Sequence, residues 1–214
     1  MLAGNRVAYS GDSTTFVGYD VGDPVPSVTD SFISLLEANQ NLTVHNMASP
    51  GVKASFQYSN GVFCGLRANA SAIHSFIRGL GIDFSVYVIG VNDWKNQPEG
   101  VDRYINAMKA ILNNDIAVGT TKICVCRPFR QYYSGDEPVN ELGETLSSYG
   151  TALSTLVDQI KALNRSVDIR YCDTTNWITN SQSYYLEDGY HIRANAHAQV
   201  HTNFVSTWQG WGWI

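Results

Sequence analysis

The sequence predicts a three-layer α/β/α sandwich built around a parallel five-stranded sheet. Short apolar runs rich in β-branched residues alternate along the chain with longer segments of helical periodicity. Alternation of this kind is typical of a parallel sheet covered by helices on both faces. The 214 residues are 44% hydrophobic and 15% charged, which suffices for one substantial core and is short for two. No internal repeat or linker interrupts the chain, so we expect a single domain over residues 1–214.

Five segments have the composition of strands, being short, rich in apolar residues and bounded by turn-forming or polar residues, and the third has the pattern of a buried strand. They are residues 6–9, 42–46, 84–89, 122–126 and 167–172. If the strands follow the flavodoxin-like order 2-1-3-4-5, the first three are neighbours in the sheet. The loops at their carboxyl ends then converge, at the place where ligands bind in open α/β sheets.

Five segments have helical patterns, at residues 27–40, 67–80, 101–112, 142–163 and 194–208. The first opens with Ser27-Val28-Thr29-Asp30, which has the form of a capping box. Gly81 closes the second, as glycine commonly does at the end of a helix. The third is the clearest, because its apolar residues recur on one helical face.

Charge and hydropathy exclude several classes of partner. The chain has 14 basic and 19 acidic residues, a net charge of -5, and no clustered lysines and arginines, which argues against nucleic acid. No apolar run is long enough to span a membrane. Residues 1–6 lack the apolar segment of a signal peptide. We therefore expect a cytoplasmic protein, one exported by another route, or a mature or excised domain of an exported protein.

The metal-binding residue types do not form a recognisable metal motif. The cysteines are Cys64, Cys124, Cys126 and Cys172, and none forms a CxxC pair. The last three lie in predicted strands, where they are interpreted as buried, apolar thiols, although a disulfide stays open. His197 and His201 are one helical turn apart but lack the glutamate of the HExxH pattern, so a polar helix face is the preferred interpretation. We expect no metal and no cofactor.

Residues suited to acyl transfer lie at the predicted strand ends. Ser13 follows the first strand, Gly51 the second and Asn92 the third. Asp188 and His191 are three positions apart in one loop, so the carboxylate can hold one ring nitrogen while the other faces Ser13. Acyl transfer also needs donors for the oxyanion, and the backbone N–H groups of Ser13 and Gly51 and the Asn92 amide are suitable.

Four segments resemble, in order, the four conserved blocks of the SGNH (GDSL) hydrolase family. They are Gly11-Asp12-Ser13, the glycine Gly51, Gly90-Val91-Asn92-Asp93 and Asp188-Gly189-Tyr190-His191. Together they span most of the chain. The resemblance implies a three-layer α/β/α fold and a serine hydrolase that needs no metal. The GxSxG elbow of the α/β-hydrolases is absent.

The resemblance also implies a role for each matching residue. Ser13 corresponds to the nucleophile, His191 to the base and Asp188 to the residue that orients the base. Gly51 and Asn92 complete the oxyanion hole with Ser13. The Gly51 block is the shortest, and the first block departs from the longer GDSL form because two threonines follow Ser13.

Each of these residues also has a plainer structural interpretation. Ser13 can be a cap or turn residue, Gly51 a loop glycine after Pro50, and Asn92 part of a turn that ends a strand. Asp188-Gly189 can be an ordinary turn before a surface histidine. The occurrence of all four blocks in order favours the catalytic interpretation.

Aromatic and basic residues near the same sheet edge are candidates for substrate binding. Trp94 follows the third block, Tyr132 lies after the fourth strand, and Tyr185 precedes Asp188. Aromatic rings at a cleft rim can serve as platforms for sugars, and Arg127 can contact an anionic or hydroxylated substrate. Packing of the rings onto the core and a solvated charge are the alternatives.

The sequence thus predicts a serine esterase that removes small acyl groups, especially acetyl, from a carbohydrate. The loop aromatics and the lack of a long apolar lid favour this substrate class, which includes small-molecule and polysaccharide esters. The resemblance also accommodates lipases, lysophospholipases and thioesterases. A carbohydrate-binding domain without catalysis is the alternative from another functional class.

Overall fold

The computed structural model describes residues 5–13, 31–55, 57–59, 62–64, 75, 78–96 and 98–214. Its strands are β1 (Arg6–Gly11), β2 (Thr43–Asn46), β3 (Gln57–Ser59), β4 (Val62–Cys64), β5 (Phe84–Val88), β6 (Lys122–Cys126) and β7 (Asp168–Cys172). Its α-helices are α1 (Phe32–Gln40), α2 (Val91–Lys95), α3 (Val101–Ala117), α4 (Leu146–Leu163) and α5 (Ala194–Gly210). A short 3-10 helix covers Gln182–Tyr184.

Five strands form one parallel sheet with the order β2-β1-β5-β6-β7. These are the five strands predicted from sequence, so the predicted order 2-1-3-4-5 is confirmed. Tyr9 of β1 pairs with Asn46 on one side and with Val86 on the other. Consequently β1, β2 and β5 end beside one another at the same sheet edge.

Alternate residues of the sheet face two separate apolar layers, because successive side chains of a strand point to opposite faces. Val86 and Val88 of β5 pack in the layer that contains Phe204 and Trp208 of α5. Tyr87 and Ile89 pack in the layer that contains residues of α3 and α4. The core therefore has the predicted three-layer arrangement.

The first helix differs from its predicted extent. Ser31 has an extended backbone, with φ -69° and ψ 148°, and its side chain accepts a hydrogen bond from the Ser34 N–H, so it caps a helix that begins at Phe32. The predicted continuous helix over 27–40 is wrong at Ser31. The capping box proposed at residues 27–30 lies outside the described residues.

The helix predicted over 142–163 begins four residues late, at Leu146. The Asn140 side-chain oxygen accepts hydrogen bonds from the backbone N–H groups of Leu142 and Glu144, both at 2.9 Å, and holds this segment as a turn. Thr145 then caps α4 by accepting from the Ser148 N–H at 3.2 Å. Local side-chain bonds to the backbone compete with helix formation here.

The helix predicted over residues 67–80 is described only in part, and the structure adds a strand pair, β3–β4, that was not predicted. Of the helix predicted over 67–80, residues 75 and 78–80 are helical, and Gly81 follows with a positive φ of 63°. The rest of that helix lies outside the described residues. The antiparallel pair β3–β4 was not predicted, because three residues per strand are too few for a periodic signal.

The carboxyl-terminal tryptophans pack on the core. Trp208 is fully buried, and Trp213, 4% exposed, donates its indole N–H to the Asp168 carboxylate at 2.9 Å.

The polar-face interpretation of His197 is wrong, because this residue is 6% exposed and its ring stacks on Phe32 with centroids 5.6 Å apart. Among the described residues, no helix combines the length and apolar character needed to cross a membrane.

Candidate active site

The carboxyl ends of β1 and β2 are held together by backbone hydrogen bonds. The Met47 N–H donates to the Tyr9 carbonyl at 2.8 Å, and the Ser49 N–H donates to the Gly11 carbonyl at 3.1 Å. Ser13, which is partly exposed, comes directly after this join. The loop that carries Gly51 therefore lies beside the end of β1, two residues before Ser13.

Asn92 connects this loop to the end of β5. Its side chain is 6% exposed, and its Nδ2 donates to the Val52 carbonyl at 3.0 Å. Its Oδ1 accepts from the Asn96 amide at 2.6 Å, which fixes the orientation of the group. Gly51 has a positive φ of 71°, a conformation that favours glycine. The structure thus brings together Ser13, Gly51 and Asn92 at one sheet edge.

Gly90 is required for the turn from β5 into α2. Its φ is 137°, and a Cβ at this position would lie 2.8 Å from the Pro128 Cγ and 3.0 Å from the Tyr104 ring. Only glycine fits such a close approach with that backbone. The turn delivers Asn92 to the sheet edge one residue into the helix.

Asp93 also anchors the loop after β2, a role that was not predicted from the sequence. This carboxylate is 3% exposed and accepts hydrogen bonds from the Ala54 N–H at 2.8 Å and the Ser55 N–H at 2.9 Å. Burial raises the pKa of Asp93 above its usual value, while the bonds from Ser55 and Ala54 and the charge of buried Lys53 oppose the rise. The pairing of Asp93 with residues 53–55 leaves no local sequence signal.

We expect the Asp93→Asn substitution to destabilise the protein by about 2–4 kcal/mol. Asparagine offers one acceptor oxygen to two backbone donors, and its amide would face one of them inside the core. Denaturant unfolding of this variant beside Asp102→Asn, which alters an exposed residue of α3, would measure the cost. Equal stability of the two variants would contradict the anchoring role.

Asp188 and His191 form a hydrogen-bonded pair within one tight loop. The Asp188 Oδ1 accepts from the backbone N–H groups of Tyr190 at 2.9 Å and His191 at 3.0 Å, and its Oδ2 contacts the His191 Nδ1. Partial burial acts to raise the pKa of Asp188, but these bonds together hold it below its usual value. The Leu186 N–H donates to the His191 carbonyl at 2.8 Å and closes the loop. The carboxylate is therefore ionised and rigidly placed against the imidazole.

Two contacts place this loop beside the rest of the site. The Lys95 ammonium, at the end of α2, lies 3.4 Å from the centroid of the Tyr190 ring. Burial lowers the pKa of Lys95, and the charge of Asp188 partly offsets this. From the loop after β6, the Tyr132 N–H donates to the Gly189 carbonyl at 2.8 Å. The helix that carries Asn92 and the loop that carries His191 are thus in contact, while the approach of His191 to Ser13 stays a prediction.

The structure corrects the expectation that Trp94 and Tyr185 lie at the rim of a cleft. Trp94 is 3% exposed and donates its indole N–H to the Glu144 carbonyl at 2.8 Å. Tyr185 is fully buried and donates its hydroxyl to the Arg130 carbonyl at 3.1 Å. Neither ring offers a face to a sugar, because burial of a large aromatic surface outweighs exposure and each polar tip finds a partner.

Arg127 and Tyr132 also make contacts within the protein. The Arg127 guanidinium donates to the Thr175 hydroxyl and the Ser147 hydroxyl, each at 2.6 Å, so it joins the loop after β7 to the start of α4. Tyr132 is half-buried, with its ring 6.1 Å from that of Tyr185. Of the four residues predicted to contact the substrate, Tyr132 still has a position that suits this role. Its backbone is hydrogen-bonded to Gly189, in the loop that carries His191.

A family model described as GDSL-like Lipase/Acylhydrolase matches residues 10–204. The chain belongs to this family. The match includes all four blocks quoted from the sequence, and the resemblance to the SGNH (GDSL) hydrolases is confirmed. Among curated proteins, none matches the chain.

Solved structures of similar fold include several esterases. A putative arylesterase from Agrobacterium tumefaciens str. C58 is 18% identical, with 96% of this chain and 99% of that chain covered and a TM-score of 0.67. A carbohydrate acetylesterase from Sinorhizobium meliloti is 14% identical, with coverages of 96% and 99% and a TM-score of 0.68. A carbohydrate esterase family 3 protein from Talaromyces cellulolyticus is 13% identical, with 95% of each chain covered and a TM-score of 0.67. These likenesses show the fold, and family membership places this GDSL-like acylhydrolase among enzymes that act on esters.

Proposed function

We propose that the chain is a serine esterase that removes small acyl groups, acetyl above all, from a carbohydrate. Ser13 is the nucleophile, His191 the general base and Asp188 the residue that orients the base. The observation that carries this proposal is the Asp188–His191 pair, because a carboxylate held on Nδ1 leaves Nε2 as the nitrogen that accepts a proton. Its loop touches the helix of Asn92, which supports a shared site.

The proposed reaction has two steps. The Ser13 Oγ attacks the ester carbonyl carbon while the His191 Nε2 takes the hydroxyl proton. When the tetrahedral intermediate collapses, the carbon–oxygen bond to the alcohol breaks and His191 returns the proton to the leaving oxygen. Water, deprotonated by His191, then hydrolyses the acyl-enzyme. The ionised Asp188 stabilises the imidazolium that forms in each step.

Three donors are positioned to stabilise the oxyanion: the backbone N–H groups of Ser13 and Gly51 and the Asn92 side-chain amide. One hydrogen of the Asn92 Nδ2 is used by the Val52 carbonyl, and the second remains for the substrate oxygen. Because the bond to Val52 and the bond from Asn96 fix the amide, little reorganisation is needed as charge develops.

We expect Asn92→Ala to lower kcat by about 100- to 1,000-fold, with a much smaller change in KM. Asn96→Ala is the matched control, since it removes only the hydrogen bond that orients the amide and should cost less than about 10-fold. Steady-state kinetics with p-nitrophenyl acetate measures both. A kcat for Asn92→Ala within threefold of the wild type would contradict the oxyanion role.

The acyl preference can be tested with a series of p-nitrophenyl esters. We expect kcat/KM for the acetate to exceed that for the octanoate by at least about 10-fold, because a site shaped for a small group gains nothing from added methylenes and must accommodate them. The carbohydrate acetylesterase among the structures of similar fold supports this choice of acyl group. Equal or faster turnover of the octanoate would overturn the short-acyl proposal and favour a lipase or thioesterase.

The carbohydrate part of the proposal needs a natural ester. Release of acetate from acetylated polysaccharides should exceed release from acetylated simple alcohols at equal ester concentration. The Ser13→Ala protein, which lacks the proposed nucleophile, serves as the blank for spontaneous hydrolysis. Release from simple alcohols alone would restrict the proposal to small-molecule esters.

A further inference from the structure

Three cysteines meet inside the apolar layer between the sheet and α5. Cys124 and Cys126 lie two residues apart on β6, with their Sγ atoms 3.6 Å apart. Cys172 of β7 is the register partner of Cys126. The three sulfurs all lie within 4.8 Å of one another, and the residues are 0%, 0% and 4% exposed. They are free thiols, which confirms the prediction that they are buried thiols. None of the three takes part in a disulfide, the alternative that the sequence allowed.

The donor set is restricted to three sulfurs. Within the described part of the chain, no histidine or carboxylate joins the cluster. Thiolate sulfurs are soft ligands that select thiophilic ions. A structural zinc ion takes four ligands, and the described histidines and carboxylates supply no fourth ligand to these cysteines. The geometry therefore suits an ion that is satisfied by three sulfurs.

The charge of the ion decides which kind fits. Three thiolates bound to a monovalent ion leave two net negative charges, and bound to a divalent ion they leave one. An uncompensated charge in an apolar core is costly. A trivalent ion gives a neutral unit. Trivalent arsenic binds three thiolates in this way and needs no further ligand.

We propose that Cys124, Cys126 and Cys172 form a binding site for a single trivalent thiophilic ion, supplied as arsenite. Arsenous acid carries three hydroxyl groups on arsenic. Three arsenic–sulfur bonds form, three arsenic–oxygen bonds break, and each hydroxyl leaves as water with the proton of one thiol. No atom changes oxidation state.

The neighbouring helix supports such a site. The indole N–H of Trp208 is buried in the same apolar layer and has no nitrogen or oxygen acceptor among the described residues. It can therefore donate to a bound thiolate. Since α5 packs on the cluster through this residue, bound arsenic would link β6, β7 and α5 and stabilise the folded chain.

The test uses the full chain, reduced beforehand and incubated with arsenite. Native mass spectrometry should show one adduct, heavier by one arsenic atom less three hydrogen atoms. Arsenic-edge X-ray absorption should show three sulfur neighbours and no oxygen. No adduct, or an adduct that keeps an arsenic–oxygen bond, would overturn the proposal. Because neither measurement uses ester turnover, the outcome is independent of the proposed esterase activity.

Single-cysteine variants test whether the arsenic binds at this cluster. Cys126→Ala and Cys172→Ala should each weaken arsenite binding by at least about 100-fold. Two arsenic–sulfur bonds hold the arsenic beside the third thiol, so the third bond forms at a high effective concentration and adds strongly to the affinity. Cys64→Ala, which alters the cysteine of β4, should bind as the wild type does. Circular dichroism on each variant establishes that it is folded. Wild-type affinity in either folded Cys126 or Cys172 variant, or lost affinity in folded Cys64→Ala, would refute the assignment.

Discussion

The Ser13→Ala substitution is expected to lower kcat for p-nitrophenyl acetate by about 10⁵- to 10⁶-fold. The hydroxyl oxygen that forms the acyl-enzyme is removed, while Asn92, Asp188 and His191 stay in place. Residual turnover would come from the oxyanion donors and substrate binding alone. Stopped assays over long incubations, with spontaneous hydrolysis subtracted, measure a decrease of this size.

Ser134→Ala is the matched control, because Ser134 is an exposed serine in the loop after β6 at the same edge of the sheet. It should keep wild-type turnover. A fluorophosphonate probe should label the wild type and Ser134→Ala and leave Ser13→Ala unlabelled. Retained turnover in Ser13→Ala would refute the nucleophile assignment. A wild-type chain that resists labelling yet binds glycans would favour the non-catalytic carbohydrate-binding alternative.

The second large effect is expected at Asp188, where asparagine should lower kcat by roughly 10⁴-fold. In this variant the amide oxygen of the asparagine can take the place of the Asp188 Oδ1 and accept hydrogen bonds from the Tyr190 and His191 N–H groups, so the loop should keep its shape. The new amide N–H₂, however, faces the His191 Nδ1 and favours the tautomer whose proton is on Nε2. That tautomer cannot accept the proton of Ser13.

Asp136→Asn, at an exposed position of the loop after β6, controls for the change of charge and should have little effect. Because the residues of a catalytic triad act as a unit, Ser13→Ala combined with Asp188→Asn should be no slower than Ser13→Ala alone. An Asp188→Asn kcat within 10-fold of the wild type would contradict its role. Additive losses in the double variant would show that the two residues act separately.

The central strands β5 and β6 and their ends were predictable because a buried parallel strand is a continuous apolar run. The predictions for β5 and β6 differ from the structure by at most one residue. Helix starts were harder, since several residues compete to cap the same helix. Ser31 caps α1 although the capping-box pattern lies four residues earlier, and Asn140 keeps residues 140–144 out of α4.

The residues of the site also differ in whether their contacts could be predicted from nearby sequence. The Asp188–His191 pair was predictable because both residues lie in one short loop. The anchoring by Asp93 was not, since its backbone partners at residues 54 and 55 are about 40 positions away along the chain. The hydrogen-bond partner of the buried Trp94 indole is likewise distant, since Glu144 lies 50 residues further on.

The sequence by itself determined the alternation of strands and helices, the membership of the chain in its family and the residues that stand at each strand end. These follow from local periodicity and short-range motifs. Only the tertiary structure decided which aromatic residues are buried, how Lys95 meets Tyr190 and that Cys124, Cys126 and Cys172 gather at one point. The physical reason is that burial and contact depend on the packing of segments far apart in the chain, which no local pattern records.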